Sequence, residues 1–103
     1  MTGSAINRNC LHLVVRSSID AIERCRSHCS EKDAVLLLDD GVMHLTSGIL
    51  ESFGAGSPRV CLAAADLEAR GLLQAAIDAG LPIICDSDFA GLLQEYDFCL
   101  TWK

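Results

Sequence analysis

No apolar run in this 103-residue chain approaches the roughly 18 residues that a membrane-spanning helix needs. The opening MTGSAINRN lacks the long apolar core of a secretory signal, so it reads as a flexible polar leader over 1–9. A single soluble, cytoplasmic domain is expected over 10–103, with no membrane partner. Basic residues are scarce: eight stand against fourteen acidic ones, and the net charge of −6 repels phosphate backbones. Direct binding of nucleic acid is therefore not expected. A phosphate loop is missing too, because GAGSP at 54–58 lies ahead of an apolar run rather than after one, and Gly41 is isolated. Neither a nucleotide nor any other cofactor is expected. Low-complexity tracts and solenoid repeats are absent, which leaves a chain that is half hydrophobic and fit for one packed core.

What is present is a regular alternation. CLHLVV at 10–15, AVLLL at 34–38, RVCLA at 59–63, LPIIC at 81–85 and FCLTW at 98–102 have the length and composition of strands. AVLLL is apolar throughout, as a strand covered on both faces would be. Between these runs the apolar positions recur at helical spacing. Ser17 stands three residues before Asp20 in a capping-box pattern, and Ile22 and Cys29 share an inner face. Val42, Leu45 and Ile49 predict a second helix, and a third is interrupted near Gly71 and stops at Gly80. Phe89, Leu92, Leu93 and Tyr96 form an amphipathic stripe behind Ser87 and Asp88, which can cap it. The βαβαβαβαβ order with short links predicts a three-layer α/β domain around a five-stranded, largely parallel sheet.

In such a sheet ligands gather beyond the carboxyl ends of the strands, in the loops that begin at Arg16, Asp39, Ala64 and Asp86. Asp39, Asp40 and Asp88 would be the carboxylates of a magnesium-dependent, phosphate-handling site, although the first strand ends in RSS and supplies no acid. The plainer reading has Asp40 and Asp88 at helix N-termini, where a carboxylate meets free N–H groups. His44 could face the same rim. Six cysteines without a secretory signal are expected to be reduced thiols. Cys10, Cys61, Cys85 and Cys99 fall in or at the ends of strands, where burial makes a thiol inert. His12, in the first strand, reads as a satisfied core or interface histidine. Cys25 is the candidate sulfur-handling thiol: it falls at the edge of the first helix's inner face, where partial exposure is expected, and Arg24 and Arg26 flank it and could stabilise its thiolate. Cys29 reads as core. Two thiols do not make a zinc site, and no metal is expected.

LHLVVRSS at 11–18, VLLLDDGV at 35–42, DLEARGL at 66–72 and the tryptophan next to the end together resemble the DsrH/TusB family. The resemblance spans nearly the whole chain in order. It implies a flavodoxin-like domain that assembles with homologous DsrE/TusD-like and DsrF/TusC-like subunits, commonly as a dimer of heterotrimers, or as a homo-oligomer in isolation. Such complexes pass persulfide sulfur along a chain of thiols toward the 2-thiouridine of tRNA wobble positions or toward sulfur oxidation. By the same resemblance, the sibling's sulfur-bearing cysteine corresponds to a position near Ala63, with Cys61 two residues too early, while Cys25 matches a first-helix cysteine found in some members. The chain then reads as a non-catalytic subunit of a sulfurtransferase complex. A stand-alone sulfurtransferase using Cys25 and the magnesium reading are the alternatives.

Overall fold

The computed structural model describes residues 9–53 and 58–103. The leader expected over 1–9, apart from Asn9, and GAGSP apart from Pro58 lie outside them. The elements run β1 (Cys10–Val14), α1 (Ile19–His28), β2 (Ala34–Leu37), two 3-10 segments (Asp39–Thr46 and Ile49–Phe53), β3 (Arg59–Ala63), α2 (Ala64–Ala69), α3 (Leu73–Ala79), β4 (Ile83–Ile84), α4 (Asp86–Gln94) and β5 (Phe98–Trp102). Every strand pairing is parallel, in the order β4-β3-β2-β1-β5, which is the five-stranded three-layer arrangement that the alternation predicts and is consistent with the flavodoxin-like fold that the resemblance implies.

The order explains the two unequal layers. From β1 to β4 the chain steps steadily toward one edge, so right-handed crossovers put every connection on the same face. The last connection returns across the sheet to the far side of β1, and the same rule sends α4 to the opposite face. Side-chain parity follows. Val14, Val35, Leu37, Val60 and Leu62 pack with Ile22 and Cys25 of α1, Val42, Phe53, Leu67 and Ala76 in the larger core. Leu11, Ala34, Leu36 and Cys61 pack with Leu92 of α4 in the smaller one. β2 is buried at all four positions, as its unbroken apolar run requires.

Several local details differ from the sequence reading. Ser18, not Ser17, caps α1, its Oγ accepting the Ala21 N–H at 3.4 Å. The helix expected through Val42, Leu45 and Ile49 is two 3-10 segments: Val42 and Leu45, three apart, eclipse on a 3-10 turn, and Gly48 at φ 77° interrupts the run. β4 shrinks to Ile83–Ile84, since Pro82 has no N–H to donate. Cys85 is the N-cap residue of α4, without a side-chain capping bond, so Ser87 and Asp88 sit inside its first turn.

Candidate functional site

At the carboxyl ends of the strands, VLLLDDGV and DLEARGL turn out to be halves of one structural device. Asp39 takes a left-handed backbone at φ 54°, which aspartate tolerates better than most residues, and its N–H donates to Asp66 at 2.8 Å. The Arg70 guanidinium then reaches Asp39 at 3.0 Å, Asp40 at 2.8 Å and Asp66 at 3.8 Å. VLLLDDGV and DLEARGL are thus stitched together by an arginine amid three carboxylates. Gly41 is part of the same joint, because a Cβ there would collide with the Val14 carbonyl oxygen. Asp88 does not join them; it accepts the Cys85 thiol at 3.0 Å. The magnesium reading of Asp39, Asp40 and Asp88 is corrected accordingly: a guanidinium already occupies the place a cation would take, and the third carboxylate is elsewhere. His44 is buried and bonded through Nε2 to the Arg16 carbonyl at 2.8 Å, so it ties the end of β1 rather than facing a ligand.

The residues with more chemical potential converge at the opposite rim. α1 runs back along the sheet, so its C-terminus meets the start of β1, the loop before β2 and the edge strand β5. There the Asp33 carboxylate, buried, accepts the Cys10 N–H at 3.0 Å, the Ser30 N–H and Ser30 hydroxyl at 3.1 Å each, and His12 Nε2 at 2.9 Å. On the other side of the ring, Trp102 Nε1 donates to His12 Nδ1 at 3.0 Å. An indole N–H can only donate, so Nδ1 is the acceptor and the proton of the neutral ring lies on Nε2, pointing at Asp33. Trp102 is itself held by His28, ring centroids 5.2 Å apart, and by the Arg24 guanidinium 6.0 Å above its ring. The sulfurs of Cys25 and Cys29 are 3.9 Å apart, and these two and a His12 nitrogen all lie within 4.8 Å of one another.

The two thiols ionise unequally. Cys25 has no solvent exposure, whereas Cys29 is half-buried. The hydrogen bond from Cys25, aided by His12, outweighs desolvation and pulls Cys29 down to about 6, while that same bond, then burial, pushes Cys25 far up. One proton shared by two sulfurs is the description of the pair. Cys29 is the C-cap of α1, where the helix dipole disfavours an anion by about 0.3–1 kcal/mol; a charge-assisted hydrogen bond contributes about 1.5–3 kcal/mol and prevails. Burial pulls His12 down, but its bonds and charge interactions with Cys29 and Asp33 outweigh it and raise the ring above its ordinary value. The indole opposes them, since protonating Nδ1 costs the Trp102 bond. Burial likewise pushes Asp33 up, yet the donors from His12, Ser30 and Cys10 hold its carboxyl below the usual range.

Cys29 and Cys25 thus lie beside His12, but both of its ring nitrogens are already bonded, to Asp33 and to Trp102, so the imidazole acts on the thiols through its charge rather than as a base. Among the described residues, His12, Cys25 and Cys29 form the one grouping that could hold a metal ion, but binding there would break the bond from His12 to either Asp33 or Trp102. An open groove of about 350 Å³, lined by Cys10, His12, His28, Asp33, Phe98 and Leu100 among others, gives solvent access along β5.

Measured against the sequence reading, Cys25 is not partly exposed but sealed, and Arg24 and Arg26 pair with Asp20 at 3.1 Å and Glu23 at 3.8 Å. Cys61 is buried beside α4 and, with burial the main cause, its thiol is raised; burial and then Asp33 raise Cys10 to about 11. Cys85 and Cys99, expected to be buried, are exposed. His12 is the satisfied histidine expected, but its partners were not foreseen, nor was the role of Cys29. The available signal was strand parity: Cys10, His12 and Val14 share a face of β1, and a terminal strand beside β1 sets Trp102 on it too.

No curated relative matches the chain. The model of one family, described as DsrH like protein, matches residues 16–98, a span that holds the DDGV and DLEARGL joint, α1 with both its thiols, and Asp33. The chain belongs to the DsrH-like family.

Proposed function

We propose that this chain is a cytoplasmic subunit of a sulfur-relay complex, assembling with DsrE/TusD-like and DsrF/TusC-like subunits, in which sulfur is handled by the thiol pair of α1. Membership of the DsrH-like family is the observation that carries the reading. The site supports it chemically: a persulfide carrier needs a thiolate at neutral pH, within reach of a partner's thiol. The first-helix position singled out in the sequence, Cys25, takes part as the buried hydrogen-bond donor, and Cys29 Sγ is the atom that loads. Phe98 and Leu100, large apolar side chains left exposed on edge strand β5 beside the groove, are suited to a subunit contact. The sulfur is destined for tRNA wobble-uridine thiolation or for sulfur oxidation, and no direct contact with RNA is required of a chain this acidic.

Co-expression with the two homologous subunits tests the assembly: a stable complex by size exclusion is expected, and a chain that elutes alone in their presence overturns it. Intact-mass spectrometry after exposure to a persulfide donor tests the site, with one sulfur atom gained by wild type and none on α1 of Cys29→Ser. The ionisable Cys29 thiol beside Cys25 also favours a second reading, a sulfurtransferase acting alone. Sulfur transfer to a small thiol by the isolated chain, at the rate of the complex, would decide for it.

A further inference from the structure

We propose that Cys25 is a resolving thiol: it attacks a persulfide on Cys29, closes a Cys25–Cys29 disulfide and releases the carried sulfur as hydrosulfide. This rests on the reading above, in which Cys29 carries the sulfur, and goes beyond it by giving that sulfur a second fate. The geometry is the argument. The two sulfurs are 3.9 Å apart with no residue between them, and a disulfide needs about 2.05 Å, so closure asks for an approach of about 2 Å. One partner is fixed in the core and the other is the C-cap of its helix, with φ −79° and ψ 139°, followed by the turn at Ser30 to Asp33. Movement of the last turn is the least costly movement a helix can make.

The step balances without an external oxidant. Cys25 Sγ attacks Cys29 Sγ, a sulfur–sulfur bond forms between them, and the bond from Cys29 to the outer sulfur breaks. Its electron pair leaves with the outer sulfur of the anionic persulfide, which takes up the proton given by Cys25 and departs as HS⁻. The outer sulfur is reduced by two electrons and the two cysteine sulfurs are oxidised to the disulfide. A thiol reductant in solution restores the dithiol.

Persulfidation also removes the anion from Cys29 Sγ, and with it the hydrogen bond that keeps Cys25 protonated. The attacking thiol is thus held back until its target has formed. On an α-helix, i and i+4 side chains begin about 5–6 Å apart at Cβ, wider than a relaxed disulfide. The product is therefore strained and readily reduced, which suits a transient state. A docked acceptor thiol competes with Cys25, so the sulfur is kept only when a partner is there to receive it.

The experiment loads the whole chain with a polysulfide donor, removes the donor anaerobically, and follows intact mass and free sulfide with time. Cys25→Ser serves as the comparison because its hydroxyl still donates to Cys29 yet cannot form the disulfide; Cys25→Ala is the second variant should serine disturb the core. Wild type is expected to gain one sulfur, then lose it with one equivalent of sulfide while ending two hydrogens lighter than the dithiol. Trypsin cuts after Arg24 and Arg26, so a linked pair of peptides reports the bond. Loss from the variants should be at least about tenfold slower, since a thiol held beside its target acts at high effective concentration. Equal lifetimes in wild type and variants, or sulfide release without linked peptides, overturn the resolving role and leave Cys29 as a carrier. If no protein gains sulfur, the loading reading itself fails and the resolving role falls with it.

Discussion

Trp102 Nε1 donates to His12 Nδ1 at 3.0 Å, so the last strand of the chain fixes the tautomer of a histidine in the first. Parallel pairing makes this possible, because β5 lies beside β1 with Val14 opposite Trp102. Replacing Trp102 with phenylalanine keeps most of the packing and deletes the donor. The imidazole of Trp102→Phe should then titrate at higher pH than in wild type, as followed by NMR of the ring, because Nδ1 becomes free to take a proton. Stability should fall by about 1 kcal/mol for the lost bond. An unchanged or lowered titration midpoint would show that the indole does not hold the ring neutral.

Asp33 is the opposite support, and its loss should depend on pH. His12 is raised above its ordinary 6.5, so its contribution is complete below that value and is lost as pH rises through the folded pKa. Asp33 is lowered beneath 3.8, so its contribution is complete above that value and is lost as pH falls through the folded pKa. Both are present together between the two. The wild-type advantage over Asp33→Asn in urea unfolding should therefore be largest near about pH 5, where about 2–4 kcal/mol is expected for a buried pair broken on one side, and should shrink as pH rises through the folded pKa of His12. A constant difference across that range would mean that the carboxylate acts only through its backbone donors.

Cys29 supplies a kinetic observable. Its alkylation by iodoacetamide should follow a midpoint near 6, below the ordinary thiol value of 9.0. Cys25→Ala removes the hydrogen bond that is the largest cause of this lowering, so the midpoint should move up. Cys29→Ser should abolish the fast phase while the exposed Cys85 and Cys99 still label. A wild-type profile without a low-pH phase would place the anion elsewhere.

Sheet, layers and element order were legible because each strand is a short apolar run and each link is short enough to allow few topologies. The acidic loops could be read as architecture but not as an ion-pair cluster, since Asp39 and Arg70 are joined only through the adjacency of β2 and β3. The thiol site was half legible. Cys25 and Cys29 are visibly one helical turn apart, but periodicity alone cannot say which of the two is sealed, and here the more reactive one is the helix cap. His12, Asp33 and Trp102 come from β1, the loop before β2 and β5; their meeting depends on β5 returning to the far side of β1, which no local pattern encodes.

Glycines give the sharpest test of the fold that holds this site. Gly41 lies against the end of β1, where an added Cβ would strike the Val14 carbonyl, an oxygen that already accepts the Leu38 N–H at 3.1 Å. Neither backbone can yield without loosening the junction between β1 and β2, so Gly41→Ala should cost about 3 kcal/mol or more, the upper end of what overpacking costs. Gly91, inside α4, has open space where a Cβ would stand. There alanine should stabilise by about 0.5–1 kcal/mol through the unfolded chain and helix propensity. Thermal melts of the two variants should therefore move in opposite directions, and a Gly41→Ala protein as stable as wild type would mean that the DDGV turn does not pack on β1 as described.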